Sequence, residues 1–174
     1  MENLISKEYK EKIVALHNKK NWGNAIDKTT PYLVNKYMHL SNANSILDYG
    51  AGYGEFKKQM NIKYPKLNIH EYEPGVIGKD EDPPACDATV CFDVLEHVEP
   101  NKIGGVLQHI YNKTNKWAYV VICTVPARKT FPDGQNVHLL VRESNWWLDQ
   151  LKYDWNMFDI VKTSGHLKVL LIKK

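Results

Sequence analysis

The stretch of sequence that decides the fold is ILDYGAGYGEF, residues 46–56. It begins with a short apolar segment interrupted by one aspartate, and three alternating glycines follow. We expect a strand over 45–49, a glycine-rich turn, and a helix over 55–63 that ends before Pro65. A turn of this kind lets a ligand approach the backbone closely, and the helix N-terminus after it supplies unpaired N–H groups.

Strands and helices alternate along the rest of the chain. Strands are predicted at 67–72, 87–92, 117–123, 158–162 and 167–172, and helices at 6–18, 31–40, 100–111 and 144–152. Alternation predicts an α/β fold of Rossmann-like type, a mostly parallel sheet with helices on both faces. The turn at Ser164-Gly165 is too tight for a crossover helix, so the C-terminal strand is expected to be antiparallel.

Length and composition indicate one globular domain. The 174 residues are 43% hydrophobic and 25% charged, enough for a single core. We expect a single domain over 1–174, with an N-terminal helical cap at 1–40 and a Rossmann-like core at 43–174. A net charge of +3 is too small to indicate nucleic acid as a partner. Three cysteines without a CxxC pair predict neither a disulfide framework nor a zinc site.

No segment predicts membrane insertion or export. The N-terminus lacks the apolar core of a signal peptide. The longest apolar run, 117–125, is far shorter than the roughly 20 residues of a membrane-spanning helix. We therefore expect a cytoplasmic protein that has no membrane partner.

An acidic residue ends the second predicted strand. Glu73 follows Asp48 by 25 positions (73 − 48), and a carboxylate there can accept two hydrogen bonds from a ribose diol. The glycine spacing is G-x-G-x-G, whereas the dinucleotide fingerprint is G-x-G-x-x-G. This spacing disfavours a nucleotide-binding oxidoreductase, although a plain strand–helix turn without a ligand stays an alternative.

The pattern acid-x-G-x-G-x-G resembles motif I of class I S-adenosylmethionine-dependent methyltransferases. The stretch DATVCFDVLEHV, residues 87–98, is similar to the fourth-strand segment of their small-molecule branch. The resemblance covers roughly residues 43–125, and it implies S-adenosylmethionine as the cofactor, with the first acid near its amino-acid end. The cofactor-binding residues it implies are Asp48, Gly50, Ala51, Gly52, Gly54, Glu73, Asp80, Phe92 and Asp93.

The chain departs from that family after its second strand. Only 14 positions (87 − 73) separate Glu73 from Asp87, where the family places a strand and two helices. We expect at least one helix to be missing and the third strand to be reduced, with 78–80 as its remnant and Asp80 near the adenine amino group. The adenine side is then either open or closed by a second subunit in a homo-oligomer.

Methyl transfer is a direct displacement that needs an aligned nucleophile and, in some cases, a base, but no metal. His138, after the 117–123 strand, and His97, in the second motif, are the candidate catalytic bases. A packing or helix-starting role is the alternative for His97. Arg128, Arg142 and Trp22 are candidates for binding the acceptor, with a solvated surface as the alternative for the arginines.

The acceptor is expected to be a small molecule. The chain lacks the Asn/Asp-Pro-Pro-aromatic tetrad of adenine and cytosine amino-methylation and the Pro-Cys of 5-methylcytosine chemistry. A chain of this size also has no separate target-recognition domain. A macromolecular acceptor brought by a partner protein and a non-catalytic, cofactor-binding scaffold remain as alternatives.

Overall fold

A computed structural model describes residues 4–18 and 30–174 as a single sheet flanked by helices. The helices are α1 (Lys7–His17), α2 (Thr30–Leu40), α3 (Glu55–Lys63), α4 (Ile103–Asn112) and α5 (Ser144–Leu151). The strands are β1 (Ser45–Tyr49), β2 (Asn68–Tyr72), β3 (Cys86–Phe92), β4 (Thr114–Cys123), β5 (Trp155–Lys162) and β6 (His166–Lys173). A short 3-10 turn spans Leu95–His97.

The six strands are arranged in the order β2-β1-β3-β4-β6-β5. Strands β1 to β4 are parallel neighbours, and β6 runs antiparallel to both β4 and β5. The predicted Rossmann-like sheet, mostly parallel with an antiparallel C-terminal strand, is therefore confirmed. All four parallel strands end at one edge of the sheet, which is where open α/β sheets bind their ligands.

The segment between β2 and β3 is a compact turn with neither a helix nor a strand. The Glu73 N–H donates to the Lys79 carbonyl (2.8 Å) and the Lys79 N–H donates to the Val76 carbonyl (3.0 Å). The missing helix is confirmed, but the expectation of a strand remnant at 78–80 is wrong, because these hydrogen bonds fold the segment on itself. In the described part of the chain, β2 is consequently an edge strand.

Helices cover both faces of the sheet, as expected. On one face, α2 and α3 contribute Val34, Met38, Phe56 and Met60 to a cluster with β1, β3 and β4. On the other face, α4 and α5 form a larger cluster around the fully buried Trp147. Helix α2 packs against the face of the sheet, because it shares a core with β1. Helix α1 instead lies over the edge of the sheet.

Helix α1 crosses the loops at the carboxyl edge. It begins at Ser6, whose hydroxyl accepts a hydrogen bond from the Tyr9 N–H (3.0 Å). Its apolar face packs against Phe131 and Val137 of the loop between β4 and α5. Ion pairs then hold its two sides, Lys10 with Asp80 (3.0 Å) and Lys12 with Asp133 (2.8 Å). None of the helices within 4–18 and 30–174 is long and apolar enough to cross a bilayer.

The adjacent tryptophans of α5 differ in burial and give a matched test of the core. Trp147 is fully buried, whereas Trp146 is half-buried beneath the Arg142 guanidinium. We expect Trp147→Ala to lower the free energy of unfolding by about 3–5 kcal/mol, the range for large-to-small core substitutions. Trp146→Ala should lower it by about 1 kcal/mol. Urea unfolding measures both, and equal losses would contradict this packing.

Candidate functional site

A cleft of about 610 Å³ opens at the carboxyl edge of the sheet. The ends of β1, β2, β3 and β4 form its floor, and the apolar side chains of Tyr9 and Ile13 on α1 form part of its cover. This volume lies within the range of about 300–1,000 Å³ that is usual for small-molecule sites. The cleft brings together residues from both motifs of the sequence.

The glycine-rich turn after β1 forms one wall. Gly50, Gly52 and Gly54 all have positive φ, at 83°, 49° and 85°. The Gly50 N–H donates to the Tyr72 carbonyl (2.8 Å), and the Val94 side chain occupies the space that a Cβ at Gly50 would need. Only glycine adopts this backbone and permits this approach without strain, so the turn is held in one conformation.

The outer side of the turn is held by charged side chains. The Lys79 ammonium donates to the Gly52 carbonyl (3.0 Å) and pairs with Glu71 Oε1 (2.9 Å). Lys57 lies 3.4 Å from the other oxygen of Glu71. At Gly54, the Glu71 carboxylate occupies the position of a Cβ. The compact segment between β2 and β3 thus supplies a lysine, Lys79, that supports the glycine-rich turn.

Glu73 lies at the end of β2 and is buried. Its Oε2 accepts a hydrogen bond from the Gly52 N–H (3.2 Å), and its Oε1 accepts one from the Gly75 N–H (3.0 Å). His17 Nε2 of α1 lies 3.5 Å from Oε1. Burial acts to raise the pKa of Glu73, but the hydrogen bond and charge of His17, together with the two N–H groups, outweigh it, and the pKa is lowered. Glu73 is therefore ionised at neutral pH.

Asp48, at the end of β1, is in a different environment. Its carboxyl group is buried in the cleft wall, and Oδ2 has no hydrogen-bond partner among the described residues. Burial raises the pKa of Asp48 to about 8, and the negative charge of Glu71 acts in the same direction. A cationic group placed against Oδ2 would favour the ionised carboxylate and satisfy the orphaned oxygen.

The second half of the cleft is formed by residues that follow β3 and β4, and Asp93 is the first of them. It follows β3 with a φ of 51°, and its N–H donates to the Val121 carbonyl (2.9 Å) of β4. His166 Nε2 of β6 lies 3.7 Å from Asp93 Oδ1. Burial raises the pKa of Asp93, and His166 opposes that rise. A left-handed backbone at a residue other than glycine is uncommon and occurs often at functional sites.

The two predicted catalytic histidines meet in this half. The ring centroids of His97 and His138 are 4.7 Å apart in an edge-to-face arrangement. His97 Nδ1 is 2.8 Å from the Val137 carbonyl and His138 Nδ1 is 2.7 Å from the Val125 carbonyl. A carbonyl only accepts, so each Nδ1 carries a proton. Burial lowers the pKa of His97 to about 4, and its imidazole is neutral at physiological pH.

Most of the predicted site residues line this cleft. They are Asp48, Gly50, Ala51, Glu73, Phe92, Asp93, His97, Arg128 and His138. Gly52 and Gly54 form the turn behind them. Trp22 lies outside the described residues.

Besides Gly52 and Gly54 of the turn, two predicted residues do not line the cleft. The carboxylate of Asp80 is exposed and pairs with Lys10, so the structure does not support its expected position near the adenine. The Arg142 guanidinium donates to the Val141 carbonyl and lies over the Trp146 ring, so the structure does not support the expected acceptor contact. Both charged side chains thus contact neighbouring residues outside the cleft lining.

Among the cleft residues that were not predicted from the sequence are His17, Glu96 and His166. His17 was detectable, because it lies four positions after Ile13 on the buried face of α1. An acid near a helix start is usually exposed, yet the Glu96 side chain is fully buried against β4. Nothing in the spacing of β6 indicates that His166 faces Asp93.

A family model described as a methyltransferase domain matches residues 16–169. No curated protein sequence matches the chain. Solved structures share its fold. One is the 1,6-didemethyltoxoflavin-N1-methyltransferase of Burkholderia thailandensis, with 12% identity, a TM-score of 0.70, and coverage of 95% of this chain and 87% of that one.

Two further structures have the same architecture. The N-methyltransferase NodS of Bradyrhizobium japonicum WM9 has 13% identity, a TM-score of 0.59, and coverage of 95% of this chain and 97% of that one. An O-methyltransferase family protein of Burkholderia thailandensis has 10% identity, a TM-score of 0.59, and coverage of 95% and 58%. The chain thus spans just over half the length of that protein, and likewise 57% of TnmH.

At these identities the solved structures establish the fold alone. The family match extends over most of the 174 residues. It includes the glycine-rich turn, Glu73 and the two histidines predicted as catalytic, His97 and His138. By this match, the chain belongs to the methyltransferase-domain family.

Proposed function

We propose that this protein transfers a methyl group from S-adenosylmethionine to a small-molecule acceptor. The observation that carries the proposal is the pair of buried carboxyl groups, Asp48 and Glu73, on either side of one glycine-rich turn. In a methyltransferase-domain chain, that arrangement matches a ligand that has a cationic end and a ribose diol. The structures of the toxoflavin enzyme and NodS were both solved with S-adenosylhomocysteine, which supports this cofactor class.

The cleft residues fit the cofactor at its two polar ends. Asp48 Oδ2 is a buried oxygen without a partner among the described residues, and an ammonium group would satisfy it. Glu73 is ionised and offers acceptors to hydroxyl groups. The backbone of Gly50 lines the cleft, and the absence of a Cβ leaves room for the Val94 side chain beside it. When bound, S-adenosylmethionine supplies an electrophilic methyl group on a sulfonium.

The other half of the cleft is suited to the acceptor. His97 and His138 line that half, and the Nδ1–H···O=C hydrogen bonds fix their rings. A neutral imidazole accepts a proton from a nucleophile, and we assign both histidines to that role. Arg128 lines the same half and is available to an anionic group of the acceptor.

Helix α1 completes the enclosure. Leu4, Ile5, Tyr9 and Ile13 bring apolar surface against the cleft. Exclusion of water from a displacement reaction strengthens the electrostatic contacts inside the site. The cleft volume and the small acceptor bound in the toxoflavin enzyme support a small molecule as the acceptor.

The experiment that tests the cofactor class is calorimetric titration of the full chain with S-adenosylmethionine, S-adenosylhomocysteine and NAD. We expect binding of the first two with a Kd on the order of micromolar and no binding of NAD. Tighter binding of NAD would overturn the proposal in favour of a dinucleotide enzyme. Binding of S-adenosylmethionine with no methylated product from any screened acceptor would favour the scaffold alternative.

A Glu73→Gln variant tests the ribose assignment. The amide keeps the size of the side chain but loses one acceptor oxygen and the negative charge, so S-adenosylhomocysteine should bind more weakly by about 1–3 kcal/mol, or about 5- to 150-fold. Glu81→Gln, an exposed carboxylate eight positions later, is the matched control and should bind as the parent does. Unchanged affinity in Glu73→Gln would move the ribose contact elsewhere.

The contact between His17 and Glu73 predicts that removal of the imidazole strengthens cofactor binding. A carboxylate has about four lone-pair positions, and Gly52, Gly75 and His17 already engage three of those on Glu73. A diol that uses both oxygens must therefore displace His17. We expect His17→Ala to tighten S-adenosylhomocysteine binding about three- to tenfold, on the order of 1 kcal/mol.

Calorimetry checks this expectation beside Glu11→Ala, which removes an exposed side chain from the same helix and should have no effect. Weaker binding in His17→Ala would show that the imidazole contacts the cofactor itself, which would contradict the displacement.

A further inference from the structure

The acceptor half of the cleft contains a carboxylate, Glu96, that base catalysis by His97 and His138 does not require. Glu96, His97 and His138 each offer one ligand atom, and these three atoms lie within 4.8 Å of one another. All three residues line the cleft. From this cluster we infer that the protein binds a divalent transition-metal ion, with Glu96, His97 and His138 as its ligands.

The two histidines are oriented as metal ligands are. Each Nδ1–H donates to a backbone carbonyl, that of Val137 for His97 and that of Val125 for His138. Nε2 is therefore the nitrogen of each ring that can coordinate an ion. Histidine ligands in proteins almost always donate their other ring N–H to a carbonyl or carboxylate, which fixes the tautomer and raises the basicity of the coordinating nitrogen.

The carboxylate provides the independent observation. Glu96 is fully buried (0% exposed), and its Oε1 accepts the Cys123 N–H (3.1 Å). Its Oε2 has no hydrogen-bond partner among the described residues. A buried carboxyl oxygen left without a partner is costly, and no lysine or arginine pairs with Glu96 in the described part of the chain. A bound cation would satisfy that oxygen and offset its charge.

The surroundings add negative potential. Asp93 lines the same cleft, and its Oδ1 is a second buried carboxyl oxygen without a hydrogen-bond partner among the described residues. A divalent cation held by Glu96 and the histidines would stabilise both acidic side chains at once.

The donor set selects the ion by its chemistry. Two imidazoles and one carboxylate suit zinc and its first-row neighbours, whereas magnesium and calcium prefer oxygen ligands alone. Atoms bound to one tetrahedral zinc at about 2.0–2.2 Å lie about 3.3–3.6 Å apart, so small rotations of these side chains close the site. Three protein ligands leave at least one coordination position, which faces the cleft.

The open position gives the ion a role in the proposed reaction, and this step rests on the proposed function. A hydroxyl oxygen of the acceptor that binds the ion becomes more acidic and releases its proton to solvent. In the metal-bound chain the ion therefore replaces His97 and His138 as the activating group, because their Nε2 lone pairs are coordinated. That oxygen then forms the new O–CH₃ bond as the S–CH₃ bond breaks, and the electron pair goes to sulfur. The products are a methyl ether and neutral S-adenosylhomocysteine. The acceptor is accordingly an alcohol or a phenol.

The test is calorimetric titration of chelator-treated full chain with Zn²⁺ alone. We expect one Zn²⁺ per chain, and more than about tenfold weaker binding in His138→Ala, since even the loss of an outer-shell partner costs at least that much. Glu96→Gln preserves the side-chain volume and the acceptor for Cys123 N–H, and should also weaken binding. His39→Ala removes an exposed histidine of α2 and is the matched control.

Absence of Zn²⁺ binding, or equal binding in the parent and in His138→Ala, would overturn the inference. Parallel titration of the metal-free chain with S-adenosylhomocysteine separates the two proposals. Cofactor binding without zinc binding would defeat the metal site alone, and zinc binding without cofactor binding would defeat the proposed function.

The oxygen acceptor has its own probe, acetohydroxamate, which binds open metal sites through two oxygens. It should bind the zinc-loaded chain and not the metal-free chain. Failure to bind the loaded chain would mean that the ion has no open position, and the assignment to alcohols or phenols would be withdrawn.

Discussion

The carboxylate of Glu73 is the interaction on which the geometry of the site depends. It accepts the N–H of Gly52 in the glycine-rich turn and the N–H of Gly75 in the segment after β2, and it meets His17 of α1. Three pieces of chain that are distant in sequence are thereby held around one buried charge. A buried carboxylate is tolerated only where donors of this kind surround it, so these contacts allow the charge of Glu73 to remain in the cleft.

Charge is distributed unevenly across the cleft. Glu73 has its donors within the protein, whereas Asp48 and Glu96 each keep one buried oxygen without a hydrogen-bond partner among the described residues. Burial raises the pKa of both carboxyl groups. Asp93 Oδ1 is a third such oxygen in the cleft. Structural carboxylates are normally satisfied, so these orphaned oxygens indicate positions where ligands supply the missing partner. The proposed cofactor accounts for the oxygen of Asp48, and the proposed cation accounts for that of Glu96.

The sequence was sufficient for the sheet because local and periodic signals agreed there. The β1 strand and α3 were predicted with the bounds that the structure has, since the glycine-rich turn separates an apolar run from a helix sharply. Within the cleft, the residues of the two motifs were named from the sequence, whereas His17, Glu96 and His166 were not. Glycine spacing and the acid after β2 are local signals, whereas the contact of Glu96 with β4 joins residues 27 positions apart.

At Asp80 and Arg142, local rules did not predict the neighbours that the side chains contact. Both positions follow or precede regular elements at the expected edge, yet a neighbouring Lys10 and a neighbouring Trp146 take up their charges. Which of several nearby partners a long side chain selects depends on tertiary packing, and a single sequence contains no signal for it. Helix α1 illustrates the same limit: its amphipathic face was evident, but not the surface that the face covers.

The shortening between β2 and β3 connects these features. The family's strand between β2 and β3 is absent from this chain, and the segment after Glu73 folds into a turn that places Gly75 directly beneath α1. A Cβ at Gly75 would lie 2.6 Å from His17 Cδ2 and 3.1 Å from Ile13 Cγ1, so any larger residue there would push the helix away from Glu73. The shortened segment therefore does more than remove an element: its glycine admits α1, and its Lys79 supports the turn from outside. The enclosure of the cleft is in this way a consequence of the departure from the family pattern.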